Sequence, residues 1–345
     1  MTPLEIRDLR ANSTGLRERD FAEQNGLSEA ALVAAYVRVN STRINAHPDQ
    51  IMGAAQQLGE VMAITRVPAC VHEKIGVYDN YHSGAHACMV LTEDIDLRVF
   101  PRHWKNAFAV EKETNNGLQR SLQVFDAAGD AVHKIFLRDR SDLDAWKRIK
   151  EDLTLDNQSQ VFKGVSRKAP EAPKSAPDKL GILRKEWARL TDTHQFMRLC
   201  SKLTMNRLGA YRIAGAPFVR ALGTAAVDDM LGKVQASGIE VMVFVGNRGC
   251  IQIHSGPIKT LRAMRPWQNV LDKGFNLHLR LDHIAEVWAV EKPTQRGMAV
   301  SVEAFDKHGT LILQTFGLGK EGRDNRPAWK GIVDSLQGAD VEVPA

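Results

Sequence analysis

The sequence holds no run of 18 apolar residues, so no transmembrane helix is expected. It holds no CxxC pair among Cys70, Cys88, Cys200 and Cys250, and four thiols in 345 residues do not make a disulfide framework. They read as reduced thiols of a cytoplasmic protein. Met1–Arg10 carries acids and no apolar h-region, so no secretory signal is expected there. There is no Walker loop, no G-x-S-x-G and no nucleophile with an evident base, which removes the commonest phosphoryl- and acyl-transfer signatures. Excess charge is small as well. Lys plus Arg number 46 against 41 Asp plus Glu, a net +5 that is weak evidence for a polyanionic partner.

What is present is an ordinary globular composition, 43% hydrophobic and 25% charged. A chain of 345 residues suits two domains, or one domain built from two repeats. A repeat is visible. Ala109-Val110-Glu111-Lys112 returns as Ala289-Val290-Glu291-Lys292, an offset of 291 − 111 = 180. The same offset relates Gly76 to Gly256, His103 to His283, Ser121 to Ser301, Phe125-Asp126 to Phe305-Asp306, Gly129 to Gly309 and Phe136 to Phe316. After a three-residue slip, Trp146-Lys147 matches Trp329-Lys330. The predicted organisation is an N-terminal repeat over 1–165, a Pro-rich linker over 166–178 and a C-terminal repeat over 179–345. The linker follows from three prolines and alternating charge between Arg167 and Asp178.

Each repeat opens with helical pattern and continues with strand pattern. Ser28 can cap a helix running to about Arg38, with Leu27 and Leu32 as its staple. Asp192 and Gln195 have capping-box spacing, and Phe196, Leu199, Cys200 and Leu203 follow at helical spacing. Strands are predicted over 240–245, 250–254, 276–281, 285–290, 298–305 and 311–316, with partners 180 residues earlier. Short turns between consecutive strands imply antiparallel pairing. The predicted class is α+β with an internal duplication, each half carrying a large antiparallel β-sheet and accompanying helices.

Several motifs dissolve on inspection. Gly317-Leu-Gly319-Lys-Glu-Gly322 is a formal GxGxxG, but only 23 residues follow Gly322 and Pro327 interrupts the expected helix, so a plain loop is expected. Ala22, Gly26, Ser28 and Leu32 have helix-turn-helix spacing. The second helix is mostly Ala, Leu and Val, with few side chains to reach base edges, which favours a packed helical hairpin over DNA binding. His82 and His86 are four apart, but Ser83-Gly84 breaks any helix, and a loop or sheet edge is expected. His72-Glu73 lacks the second histidine of a zincin.

His194 is the histidine that stands out. With Asp192 as cap it would be the second helical residue, where the positive end of the helix dipole disfavours imidazolium. A neutral imidazole is what a metal requires of its ligand. Its offset from Phe196, Leu199 and Leu203 puts it at the border of the core, facing a cleft. A half-buried or surface histidine and a metal ligand both fit that position.

Taken together, several stretches resemble the bacterial hemin-degrading factor family, the HemS/ChuS type of haem-utilisation protein. They are Trp187-Ala-Arg-Leu-Thr-Asp-Thr-His194-Gln-Phe196, Val241-Met-Val-Phe-Val-Gly-Asn-Arg-Gly-Cys-Ile-Gln252, Asp96-Leu-Arg98, Val71-His-Glu73, Gly84-Ala-His86-Ala and Lys292-Pro-Thr294. The resemblance spans nearly the whole chain. It implies haem b as ligand or substrate, bound mainly by the C-terminal repeat. His194 matches the proximal iron ligand, Arg98 the distal arginine, and Arg207 and Lys292 the basic residues that contact haem or its propionates. An apolar slot is needed for the disc, and Phe244 and Trp267 are candidate walls or simply core. The chain departs from the family at Phe316 and Gly319, where the family carries a Tyr and an Arg for the propionate end; Lys320 and Arg323 are candidate substitutes. The position matching His194 in the first repeat falls near Arg7, which cannot ligate iron in the same way, so one main site is expected.

Two functions follow from the resemblance. One is an enzyme that opens the haem macrocycle with O2 and an external reductant, such as an NADPH-dependent reductase, and releases iron. His194 and Arg98 would be its catalytic pair. The other is a carrier that delivers haem to a separate haem oxygenase. An inner-membrane haem importer and a reductase or haem oxygenase are the implied protein partners, with no specific nucleic acid.

Overall fold

The computed structural model describes residues 1–13 and 15–339. Two compact units divide the described residues: 1–13, 15–66, 72–168 and 246–253 form the first, and 67–71, 169–245 and 254–339 the second. The boundary near residue 168 falls in the Pro-rich segment. The short stretches 67–71 and 246–253 belong to the unit opposite their own half of the sequence.

In chain order the first repeat runs α1 (Pro3–Ala11), α2 (Glu18–Gln24), α3 (Glu29–Ala35), β1 (Ser41–Ile44), α4 (Pro48–Gln57), β2 (Gly59–Val67), β3 (Cys70–Gly76), β4 (Tyr81–His82), β5 (Cys88–Leu91), β6 (Asp96–Val99), β7 (Asn106–Thr114), β8 (Gly117–Phe125), β9 (Ala131–Ser141) and α5 (Leu143–Leu153). The second runs α6 (Leu180–Trp187), α7 (Gln195–Lys202), α8 (Arg207–Ala214), β10 (Val219–Leu222), α9 (Ala226–Ser237), β11 (Val241–Gly246), β12 (Cys250–Gly256), β13 (Leu261–Met264), β14 (Trp267–Asp272), β15 (Phe275–Arg280), β16 (Glu286–Thr294), β17 (Gly297–Phe305), β18 (Leu311–Gly317), β19 (Gly319–Lys320), β20 (Arg323–Asp324) and α10 (Arg326–Asp334). The strands make two nine-stranded antiparallel sheets and one small hairpin, so the fold is α+β and duplicated as the sequence implies.

Within the first unit the strand order is β1-β7-β8-β9-β2-β3; within the second it is β10-β16-β17-β18-β11. The repeat extends to single hydrogen bonds. Asp126 Oδ1 accepts from the Ala128 and Asp130 amides, and Asp306 Oδ1 from those of His308 and Thr310. Thr114 Oγ1 donates to the Gly117 carbonyl and Thr294 Oγ1 to that of Gly297, closing the β7–β8 and β16–β17 turns. Gly117 and Gly297 have φ of 97° and 100°, which only glycine adopts without strain.

Helices cover both faces of the second unit's long sheet, so β17 is buried on both sides over its second half. On one face α9 and α10 pack Val227, Met230, Trp329 and Val333 against Val241, Val243, Val302 and Leu313. On the other, α6–α8 pack Trp187, Phe196 and Tyr211 against Val290 and Phe305. Burying one such side chain stabilises the fold by about 1.5–3 kcal/mol, and these clusters are what close the unit. In the first unit α4 and α5 play the corresponding part around Ile51, Trp146 and Ile149.

Three local expectations are corrected. Ser28 does cap α3, accepting from the Ala31 amide at 3.2 Å, but the helix ends at Ala35, because Arg38 turns into the left-handed region at φ 67°. Pro327 does not interrupt a helix. It sits in the first turn of α10, where a missing N–H costs nothing. The first glycine of the GxGxxG is a packing residue, since a Cβ on Gly317 would lie 2.5 Å from Trp329 Cβ. The loop reading of that motif otherwise holds, with the β19–β20 hairpin inside it. Residues 18–35 form the helical hairpin α2–α3, and His82 ends the edge strand β4, with Nε2 2.9 Å from Asn80 Oδ1. No helix among the described residues is long and apolar enough to cross a membrane.

Candidate functional site

The turn before α7 is built differently from a capping box. α7 starts at Gln195, and His194 is the residue ahead of it, so His194 is not the second helical residue. A single oxygen of Asp192, Oδ1, accepts from the His194 amide at 2.7 Å and lies 2.7 Å from its ring Nδ1. Gln195 does not return to the Asp192 amide. Its Oε1 accepts from the Thr191 amide at 3.0 Å and its Nε2 donates to Thr191 Oγ1 at 3.0 Å. The Thr191 carbonyl in turn accepts from the Gln295 amide at 3.0 Å, which ties the turn to the β16–β17 hairpin.

The His194 side chain is 88% exposed, so it stands clear of the core border where the helical spacing had put it. The backbone and ring contacts of His194 hold the Asp192 carboxyl below the usual carboxylate range. An ionised carboxylate only accepts, so the Nδ1 proton points at Asp192. In the neutral ring Nε2 then carries the outward lone pair, with no partner among the described residues. A carboxylate behind a histidine fixes tautomer and orientation and raises the basicity of the free nitrogen.

Behind α7 lies a buried polar layer. Glu303 on β17 is 0% exposed and accepts five hydrogen bonds. Lys292 Nζ (3.0 Å), Ser301 Oγ (2.9 Å) and Gln314 Nε2 (2.6 Å) donate to Oε1; Arg207 Nη1 (3.1 Å) and Tyr211 OH (3.0 Å) donate to Oε2. Burial alone would raise the Glu303 carboxyl. The Lys292 and Arg207 charges outweigh it and hold the group at about 2. Lys292 is 4% exposed, and its ammonium also donates to Tyr211 OH at 2.9 Å and lies over the Phe196 ring at 4.9 Å. Arg207 keeps 24% of its side chain exposed, with Nη2 3.6 Å from Met197 Sδ. The structure therefore brings Arg207 and Lys292 together on one carboxylate. Arg207 retains a face to solvent, and the Lys292 ammonium points inward.

Strand register places Phe244 on the same face. Trp288, Glu303, Gln314 and Phe244 pair in one row across β16, β17, β18 and β11. Val290, Ser301, Phe316 and Met242 form the next row. The β16–β17 end of this face is covered by α6–α8, whereas Met242, Phe244, Gln314 and Phe316 stay half-exposed. Phe244 and Phe316 meet edge to face at 5.5 Å. Trp267 belongs to the other sheet, on β14, with the Arg280 guanidinium 5.3 Å from its ring.

In the first unit, Arg98 on β6 shares a row with Met89 and Ile251. Its Nη1 is braced by the Asp96 carboxylate and donates to the Leu97 carbonyl at 3.1 Å. Past β18, Arg323 pairs with Glu240 at 3.1 Å and Lys320 is exposed. Arg326 is the cation folded over Gly319: a Cβ there would lie 2.8 Å from Arg326 Cδ. The sequence reading passed over Arg326, Tyr211 and Glu303. A Ser-x-Glu on a strand looks like a solvated face, and nothing in a period of two reveals helices lying on it.

The element order also re-registers the helices. α7 follows His194 as α2 follows Arg17, an offset of 194 − 17 = 177, so the counterpart of His194 is Arg17 and not Arg7. Arg7 lies within α1 and donates to the Ala35 carbonyl at 2.5 Å.

Residues 26–153 and 204–336 each match the haemin-degrading HemS.ChuX domain. The hemin transport protein HemS of Yersinia enterocolitica is 34% identical over 335 residues, 96% of each chain. Holo-PhuS, a haem-binding protein of Pseudomonas aeruginosa, superposes with a TM-score of 0.93 at 39% identity, covering 98% of this chain and 100% of that one. The haem oxygenase ChuS of E. coli superposes with a TM-score of 0.83 at 32% identity, covering 92% and 95%. With the domain matched once in each repeat and a relative aligned over 96% of both chains, the chain belongs to the HemS/ChuX family.

Proposed function

We propose that this protein binds haem on its second unit through His194 and opens the macrocycle in the presence of O2 and an external reductant, releasing iron in the cytoplasm. The observation that carries the reading is the Asp192–His194 pair, an exposed imidazole with its second nitrogen facing outward. Among the described residues no group of three or more His, Cys, Asp or Glu could hold a bare metal ion. A single imidazole suits a metal that arrives with its own equatorial ligands. The half-exposed patch of Met242, Phe244 and Phe316 suits an apolar disc, and the outer face of Arg207 suits a carboxylate at its edge. Bound haem would supply both the redox chemistry and the bonds that break. The chain's own work is to hold His194 in one tautomer, to present cations to the carboxylates and, through Arg98, to offer a hydrogen-bond donor that does not itself ligate.

A carrier that hands haem to a separate oxygenase is the second reading. The 88% exposure of His194 favours it, since a ligand that must be surrendered is best left open. Both names occur among the relatives, haemin transport for HemS and haem oxygenase for ChuS.

Hemin titration followed by aerobic ascorbate, with catalase present, separates the two. Loss of the haem bands with a new tetrapyrrole absorbance supports degradation. Stable bands that move only when an oxygenase is added support the carrier. Absence of any saturable haem spectrum removes both. His194→Ala should shift the haem bands; an unchanged spectrum would take His194 out of the axial role.

A further inference from the structure

The polar layer behind α7 has a counterpart in the other repeat, and the two differ by a permutation of charge. Arg207, Glu303 and Gln314 in the second unit correspond to Glu29, Gln123 and Lys134 in the first. Arg207 and Glu29 each open a helix, α8 and α3. The row Trp288–Glu303–Gln314 repeats the row Phe108–Gln123–Lys134. Each trio sums to zero formal charge. In the first unit the charges pair off-centre, Lys134 Nζ to Glu29 Oε2 at 2.7 Å, and the central residue is the neutral Gln123, which donates to Ser121 Oγ at 3.0 Å. The fold therefore does not require a carboxylate at the centre. The second unit has one, and that same unit has His194 where the first has Arg17.

We infer that Glu303 is a positioning residue for His194, holding the first turn of α7 through Lys292, Tyr211 and Arg207. Three lines of contact run from its carboxylate to that turn. Lys292 Nζ sits over the Phe196 ring at 4.9 Å. Tyr211 stacks on the same ring at 5.5 Å. Arg207 Nη2 approaches Met197 Sδ at 3.6 Å. Phe196 and Met197 are the second and third residues after His194. The Asp192 and Thr191 contacts fix the imidazole relative to its own turn, and the Glu303 layer fixes that turn relative to the sheet face carrying Phe244 and Phe316. The inference rests on the proposed axial role of His194.

Two full-length variants test it. E303Q removes the central charge. R207E/E303Q/Q314K imports the first repeat's own trio and keeps the net charge, so it decides the matter should E303Q alone fail to fold. The readouts are amide hydrogen exchange over residues 195–199 in the ligand-free protein and the rate of ferric hemin dissociation to an apoglobin scavenger. The triple variant should keep the wild-type far-UV spectrum and first-unit exchange. In E303Q, which keeps Arg207, exchange over 195–199 and hemin dissociation should each rise about 10-fold, the effect typical of lost outer-shell support; in the triple variant, which also removes the Arg207 cation, the rise in exchange is the deciding readout. Unchanged exchange, or raised exchange with unchanged hemin dissociation, would overturn the inference. So would loss of the far-UV spectrum in the triple variant, because the carboxylate would then serve the fold. His194→Ala measured alongside separates the two levels. If it leaves the hemin spectrum unchanged, the axial reading fails, and the exchange data still report whether Glu303 holds α7.

Discussion

His133 should make this protein acid-sensitive well above the pH at which carboxylates titrate. It is fully enclosed in the first unit, with Thr65 Oγ1 2.8 Å from Nδ1, Tyr78 OH 2.5 Å from Nε2 and Trp104 stacked at 6.2 Å. Burial lowers its imidazole from the ordinary 6.5 to about 3, against the opposing effect of a hydrogen bond with the Ile64 backbone. The folded pKa lies below the unfolded one, so between pH 3 and 6.5 the unfolded chain binds the extra proton. Stability is complete above 6.5 and is lost progressively as pH falls towards 3. Going from pH 7 to pH 5, this one group should cost about 2 kcal/mol. The assay is urea denaturation of the wild type and of His133→Gln at pH 7, 6 and 5. The wild type should lose about 2 kcal/mol more than the variant over that range, whatever the variant's stability at pH 7. Equal losses would mean that the folded protein accepts the proton on His133 without penalty, and the reasoning from burial would fail.

Other outcomes are specific to the site and its supports. Asp192→Asn keeps a cap acceptor but withdraws the charge behind His194, and hemin should dissociate about 10-fold faster in stopped flow; an unchanged rate would mean that the pair plays no part in ligation. Arg98→Ala should leave ferric hemin affinity within about twofold and slow aerobic turnover about 10-fold or more; intact turnover would remove Arg98 from the chemistry. Gly209→Ala would place a Cβ 1.9 Å from the Lys174 carbonyl oxygen, so the linker must lift from α8. Trypsin should then cut after Lys174 several-fold faster than in the wild type, and equal cutting would show that the segment is not held there.

The duplication was legible because β7, β8 and β9 return as β16, β17 and β18 at a strict offset of 180, and the turn residues repeat with them. Gly117 and Gly297 do the same conformational work, as do Asp126 and Asp306. The helices slip by two or three residues against that offset, so the counterpart of His194 is Arg17, and Arg7 lies ten residues away within α1. The Asp192 cap was misread because one carboxylate oxygen serves both the amide and the ring of His194, and a spacing rule sees only the amide. Ser28 was legible because its hydroxyl has no such competitor. The partners of Arg207 and Lys292 could not be read at all. Glu303 lies 11 residues from one and 96 from the other, and only the sheet row and the helix lying on it bring them together.

All four cysteines are buried, and burial pushes the thiols of Cys200 and Cys250 up to about 11 and about 12. Peroxide attacks the thiolate, so these sulfurs are poor targets for the oxidants that iron, O2 and a reductant generate together. The vulnerable sulfur near the site is a thioether. Met197, 46% exposed and three residues past His194, needs no deprotonation to react. Under the proposed turnover, oxidative wear should therefore appear first as a sulfoxide on the contact between α7 and Arg207, and a methionine sulfoxide reductase, rather than a thiol reductant, would restore it.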